Sequence, residues 1–307
     1  MNPAYSVILF TTASGAGYGL LALLGLVGFN HGPVSVFAFG VAAIVIALGL
    51  ITTGLLSSTF HLGHPERAWR ALSQWRSSWL SREGAAAVAT YVPAVLFGAT
   101  WTGIIHAPAL IGPLGLITGV MCAITVFCTA KIYSTLTTIR AWNHALTTPV
   151  YLAFALATGG ALMTSIATVF GRYQIFQVIL TVAAVILVSV LKYFYWHSID
   201  TAARIHTMAA ATGLGAGVRQ WEVPHTSENF IMKEMGFVVA RKHALKLRKT
   251  VFLLLLATII LLAACQITPW FSLLAAPAVL LAAVVERWLF FAEAQHVVSL
   301  FYGAEKA

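Results

Sequence analysis

The feature that most constrains this chain is a succession of about eight apolar stretches, at roughly 4–28, 34–60, 84–105, 108–130, 149–170, 174–196, 250–268 and 270–292. At ~1.5 Å rise per residue, helices over these stretches match a hydrocarbon core of roughly 30 Å. Only 9% of the 307 residues are charged while 60% are hydrophobic, too little charge to cover a water-soluble domain. In hydrocarbon the backbone has to satisfy its own polar groups, which leaves helices or closed barrels, and stretches of this length select helices. The sequence therefore predicts an all-α, polytopic membrane protein, with residues 1–307 forming one bundle of about eight transmembrane helices. The first stretch has no basic segment before it and no small-residue cleavage pattern after it, so it reads as a retained helix.

An even number of spans puts both termini on one side, here termed the N side. Of 18 Lys and Arg residues, all but Arg172 fall on that side: in loops 61–83, 131–148 and 197–249, and at Lys192, Arg287 and Lys306. The positive-inside rule then expects the N side, and both termini, in the cytoplasm of a bacterial inner membrane. The formal charge of +9 sits beside membrane spans, so anionic lipid or a docked partner is its expected counterpart, rather than nucleic acid. The long loop 197–249 runs from a Gly-rich stretch through Pro224 into a basic, amphipathic segment, Asn229 to Lys249. That segment is either an interfacial helix lying on the membrane or a ledge for a partner subunit.

The densest polar cluster follows the second stretch: His61, His64, Glu66, Arg67, Trp69 and Arg70, then Trp75, Arg76, Trp79, Arg82 and Glu83. Histidine, carboxylate, guanidinium and indole at a bilayer boundary meet the needs of a quinone head group: donors to two carbonyl oxygens, an acid/base, and flat apolar walls. The plainer reading is an interfacial loop with its Trp in the aromatic belt, and composition alone favours it. Elsewhere, Asp200 and Arg204 stand at i, i+4 as a surface ion pair. Gly15 and Gly19 form a Gly-x-x-x-Gly that permits close helix packing. Glu286 and Arg287 lie about a turn inside the last stretch, where mutual pairing explains them nearly as well as function does. No mid-membrane pair of histidines is present to hold a transmembrane haem, and the three cysteines form no metal-binding spacing. A transporter would need intramembrane ionisable residues or broken helices, and the sequence displays neither plainly.

Several runs resemble the membrane anchor subunits of the dimethyl sulfoxide reductase family. They are His61-Leu62-Gly63-His64-Pro65-Glu66-Arg67-Ala68-Trp69, Ser78 to Gly84, Ile132-Tyr133 with Arg140 to Asn143, Pro224 to Phe230, Lys233 to Ala244, and Glu286 to Ala294. The resemblance implies eight transmembrane helices, no haem in this chain, and a quinone site (ubiquinone or menaquinone) where an iron–sulfur subunit docks. That partner would link the anchor to a catalytic subunit that holds a molybdenum–pterin cofactor. By motif position, His61, Arg67 and Glu83 match family residues associated with quinol binding and turnover. Trp69, Trp75 and Trp79 would line the site or anchor the loop, and His64, Arg76 and Arg82 complete the candidate set. Arg70, Arg140, Trp142, Asn143, Arg241 and Lys242 are the candidates for docking the iron–sulfur subunit.

In the periplasmic members of this family the quinone-site loop faces the periplasm; here the charge bias turns it to the cytoplasm. The Gln74–Glu83 run is also similar to the anchors of cytoplasmic sulfite dehydrogenases. The expected function is thus transfer of electrons from sulfite oxidation to quinone. The alternatives are an anchor that oxidises menaquinol for a dimethyl sulfoxide reductase-type complex, and a purely structural anchor.

Overall fold

Away from water, a chain satisfies its peptide groups only by i→i−4 bonding within each segment, and the apolar stretches fold accordingly. The computed structural model describes residues 4–34, 36–60, 62–202, 206–215, 218, 221–222 and 239–302, giving the backbone alone for 31 and 239–242. Within these residues, eight helices are long and apolar enough to cross a membrane: Tyr5–Asn30, Phe37–Ser57, Trp79–Trp101, Pro108–Ser134, Thr147–Val169, Ile175–Thr201, His243–Ala264 and Pro269–Ala292, hereafter spans 1 to 8.

Spans 1 and 5 form the centre, with 78% of their most apolar windows buried against other helices; span 7 is peripheral at 22%. Span 1 packs on spans 2, 4 and 5, span 5 also on 6 and 8, span 7 on span 8, and span 3 on span 4. The central contact is a backbone approach. A Cβ added to Gly159 would strike the backbone of Gly19 and Leu20, and one added to Gly19 would strike the Ala155 carbonyl. Gly19 is therefore a packing glycine, as its motif predicts, whereas Gly15 faces open space. Outward-facing Val45, Leu56, Val92, Ile179, Leu253 and Ile260 remain exposed and present an apolar belt to lipid.

Span 1 is not regular. Phe10–Ser14 forms a π-helical turn, and hydroxyls support the widened backbone: Thr12 Oγ1 donates to the Ile8 carbonyl at 2.8 Å and Ser14 Oγ to that of Phe10 at 2.6 Å. A wider turn, with its carbonyls bonded from the side, is a recognised way of interrupting a membrane helix without leaving bare polar groups.

Two boundaries differ from the sequence expectation. Span 3 begins at Trp79, not 84, because the Ser78 side chain caps it by accepting from the Ser81 N–H. The helix carrying span 7 runs Val239–Ala264 without a break. The basic segment from 239 to 249 is thus the first turns of a membrane helix; residues 229–238, the rest of the expected interfacial element, lie outside the described residues. The expected partner of Asp200, Arg204, also lies outside them. Asp200 meets Arg248, whose Nη1 is 2.6 Å from its Oδ2 while its Nε is 2.9 Å from Glu293 Oε1. This clamp ties the N-side ends of spans 6, 7 and 8 together.

Candidate functional site

Between spans 2 and 3 the motif residues fold into a 3-10 helix, Pro65–Gln74, that packs on the N-side end of span 3. Proline at its first position pre-sets the backbone angle and lacks the N–H that a helix start leaves unused. His64 Nδ1 is 3.0 Å from Glu66 Oε1, and Arg67 Nε is 3.7 Å from the same oxygen. Trp69 and Trp75 are 68% and 55% exposed. Guanidinium groups cover both indoles, Arg70 over Trp69 at 5.7 Å and Arg76 over Trp75 at 5.5 Å. His61 lies outside the described residues.

The entry to span 3 turns this surface into two layers. Arg82 stays at the boundary: its Nε donates to the Trp75 carbonyl at 2.9 Å, its Nη2 to that of Arg76 at 2.6 Å, and its guanidinium lies 4.3 Å from the Trp79 ring centre. Trp79 in turn meets the edge of Phe127 on span 4, 6.0 Å between centroids. One residue further, at a helical step of ~100°, Glu83 points inward and is only 5% exposed. Thr129 Oγ1 of span 4 lies 3.4 Å from Glu83 Oε1, a long contact in which the hydroxyl is the donor. Below it Thr90 and Thr125 pair at 3.2 Å. The structure thus gathers Arg67, Trp69, Trp75, Arg76 and His64 on an exposed ledge, with Trp79 and Arg82 at its inner edge. It separates Glu83 from them: this is a buried group of span 3, not a loop residue.

The docking candidates also divide. Arg70 and Asn143 are exposed, and Asn143 Nδ2 donates to the Ser134 carbonyl at 2.6 Å. Trp142 is 5% exposed and belongs to the core. Its Nε1 donates to the Phe290 carbonyl at 2.8 Å, and its ring packs with Tyr133, Phe290 and Phe291. Arg140 is half-buried beside it; the side chains of Arg241 and Lys242 lie outside the described residues. A cavity of about 880 Å³ opens on the same side, lined by Thr137, Thr138, His206, Met208, Leu300 and Phe301 among others. Among the described residues, none of the motif residues lines it.

The sequence expectation of few intramembrane charges needs correcting. Lys192 of span 6 and Glu286 of span 8 are 1% and 0% exposed, with Lys192 Nζ 2.7 Å from Glu286 Oε1. Arg287 Nη1 stands 3.5 Å from Glu286 Oε2, and its guanidinium lies 3.5 Å from the ring centre of Tyr151. Lys192 lies over the rings of Tyr195 and Trp196 at 3.9 and 4.2 Å. Lys192 thus lies inside span 6 and not in an N-side loop, and the pairing weighed for Glu286 and Arg287 exists but includes a third member from another helix. An unpaired ion at this depth costs on the order of several kcal/mol, so the contacts are what allow these groups to be buried. The available signal was a lysine nine positions inside a helix that otherwise reads as lipid-facing.

At the edge of this cluster, His144 holds one tautomer. Its Nδ1 accepts from the Leu146 N–H at 3.1 Å and its Nε2 lies 2.7 Å from Ser198 Oγ, whose own proton goes to the Tyr195 carbonyl. Burial first, then the nearby Lys192 and Arg140 charges, hold its imidazole below the usual histidine range.

Comparison with known proteins identifies the family. The model of the family described as "DMSO reductase anchor subunit (DmsC)" matches residues 1–303. The chain is 33% identical to a sulfite dehydrogenase subunit of Allochromatium vinosum, over 98% of this chain and 99% of that protein. No solved structure matches it. Eight membrane helices, a polar ledge at one face and a match over nearly the whole length converge on one conclusion: the chain belongs to the DMSO reductase anchor subunit (DmsC) family and is a membrane anchor subunit of a DMSO reductase-type complex.

Proposed function

We propose that this anchor is quinone-reactive and passes electrons from sulfite oxidation, carried out by its partner subunits in the cytoplasm, to a membrane quinone. The observation that carries the reading is Glu83: a carboxyl buried in the first turns of span 3, directly beneath an exposed ledge of Arg, His and Trp. A carboxyl at such a boundary suits proton exchange between water and a hydrophobic ring, because it sits in the apolar layer yet stays within a short path of solvent. Bound quinone would supply the two-electron, two-proton chemistry. The residues of this chain fit it: Thr129 holds one carboxylate oxygen of Glu83, Trp79 offers a fixed apolar wall against Phe127, and Arg82 is locked by two backbone carbonyls at the mouth.

In this reading His61 and Glu83 hold and exchange protons at the ring oxygens, Arg67 stabilises negative charge developing there or orients His61, and the indoles exclude water. The iron–sulfur subunit rests on the ledge and the molybdenum–pterin subunit on it in turn, both on the cytoplasmic face of a bacterial inner membrane. Sulfite as electron source is supported by the full-length similarity to a sulfite dehydrogenase subunit. The charge bias turns the ledge to the cytoplasm.

The test is purification of the complex from native membranes, identification of co-purifying subunits by mass spectrometry, and assay with sulfite and with dimethyl sulfoxide. Glu83→Gln and His61→Ala are each expected to leave the complex assembled while lowering sulfite-dependent quinone reduction at least tenfold, about 1.4 kcal/mol of barrier. Intact complexes with undiminished quinone reduction would remove the quinone site from this loop. Activity with dimethyl sulfoxide and not sulfite would remove the sulfite assignment.

A further inference from the structure

Beyond Thr129, the partner of Glu83, lies a small space that the quinone reading does not use. It has a volume of about 20 Å³ and is lined by Thr12, Tyr18, Thr129, Tyr151, Thr158 and Arg287 among others, from spans 1, 4, 5 and 8. A single water needs roughly 10–15 Å³ of such volume and two to four polar partners. The walls supply both. The hydroxyls of Tyr18 and Tyr151 and Nη1 of Arg287 are buried without an aligned hydrogen-bond partner among the described residues, in side chains only 2%, 4% and 3% exposed. The Arg287 guanidinium lies over the Tyr151 ring, 3.5 Å from its centre. The π turn of span 1 contributes Thr11, Thr12 and Ser14 to the same wall, which is where a widened helical turn opens room.

Charge points the same way. Lys192, Glu286 and Arg287 together carry one surplus positive charge. The outer clamp of Arg248 with Asp200 and Glu293 carries the opposite surplus, but Asp200 is 53% exposed and therefore screened. Glu83 is the buried carboxylate on the other side of the space, reached through Thr129, and Tyr133 lies within electrostatic range of both Glu83 and Arg287.

We propose that this space is an internal water site joining Arg287 and Tyr151 to Thr129 and Glu83, so that the ion cluster of spans 6 and 8 is the counter-charge for Glu83. It rests on the quinone reading only for what Glu83 does in turnover; water occupancy and charge coupling are properties of the resting complex. X-ray hydroxyl-radical footprinting of the assembled complex in H2-18O is expected to label Tyr18 and Tyr151, because bound water generates the radical beside them. Ala283→Val, which fills the space from span 8, is expected to abolish that labelling. In infrared spectra, the carboxyl band lost in Glu83→Gln is expected to grow in Arg287→Gln and return to its original intensity in Arg287→Lys.

Unlabelled tyrosines in the wild-type complex would overturn the water site. A Glu83 band equal in wild type and Arg287→Gln would overturn the coupling. Should Arg287→Gln not assemble, Tyr151→Phe carries the second arm, since it leaves the ion cluster and the Thr129 contact with Glu83 in place while removing a polar wall of the space, and must still alter the Glu83 band. Loss of quinone reduction in Glu83→Gln together with unlabelled tyrosines would sink this inference alone; labelled tyrosines with undiminished quinone reduction would sink the quinone reading alone.

Discussion

Removing Glu286 is expected to destabilise the bundle more than removing Lys192, and removing both is expected to cost about as much as removing Glu286 alone, short of the two single losses added. At an effective dielectric constant of about 20, the 2.7 Å contact with Lys192 and the 3.5 Å contact with Arg287 correspond to attractions of about 6 and about 5 kcal/mol. Desolvation of the three ions, several kcal/mol each, cancels much of this. Lys192→Met leaves a neutral Glu286–Arg287 pair, so the expected loss is about 2–3 kcal/mol. Glu286→Gln deletes both attractions and leaves two buried cations, for an expected loss of about 3–5 kcal/mol. The double variant returns to the wild-type surplus of one positive charge, now resting on Arg287 over the Tyr151 ring, and should recover about 2–3 kcal/mol relative to additivity. The assay is steric trapping of the doubly tagged chain in bicelles, which reads unfolding without removing lipid. Losses that add to within about 0.5 kcal/mol would mean the two side chains do not interact, and the reasoning would fail.

Five further outcomes are expected. Gly159→Val should push spans 1 and 5 apart and cost about 1–3 kcal/mol or more, read by the same trapping assay, since its side chain would occupy the Gly19 backbone. His144 is held neutral by burial and by Lys192 and Arg140; its folded value is below the unfolded one. Its contribution is therefore complete above about pH 6.5 and declines as the pH falls through that value, a slope that His144→Asn should flatten in pH-dependent unfolding. Trp142→Phe should cost about 1–2 kcal/mol by orphaning the Phe290 carbonyl, whereas Arg70→Ala should change stability by less than about 0.5 kcal/mol and reduce retention of the iron–sulfur partner in pull-downs. Sulfite-driven quinone reduction in sealed vesicles should build no membrane potential, measured with a voltage-sensitive dye.

The bundle was legible because hydrophobic length is a one-dimensional signal: all eight spans follow from it with ends displaced by a few residues. What moved the ends was local chemistry. Ser78 caps span 3 ahead of the apolar run, which carries Glu83 from loop to interior. The long basic approach to span 7 reads as interfacial by composition, yet helix propagation continues through it. Trp142 is indistinguishable in sequence from a belt tryptophan; only the position of span 8 supplies the Phe290 carbonyl that buries it. The Lys192–Glu286 pair joins residues far apart in sequence on helices whose relative placement no periodicity encodes, so its pairing appears only when span 6 is set beside span 8.

The distribution of buried charge bears on the reaction as well as on the fold. Among the described residues, the buried ionisable groups that carry charge are Glu83, Lys192, Glu286 and Arg287. Measured along their helices at ~1.5 Å per residue, Glu83 lies about 6 Å, Glu286 about 9 Å and Lys192 about 14 Å from the N-side ends. Toward the opposite face, among the described residues, the buried polar side chains include Thr118 and Gln177, and hydroxyls bonded to backbone carbonyls: Thr164 to that of Gly160, Ser165 to that of Ser272, and Thr168 to that of Thr164. A route for ions or protons across the bundle would need a titratable group in that half, and hydroxyls fixed to backbone carbonyls are poor substitutes. Among the described residues, the buried charges thus cluster toward the N side of the bundle. Electrons and protons exchanged at that face enter and leave by one side, so the chemistry proposed for Glu83 requires no charge to cross the membrane.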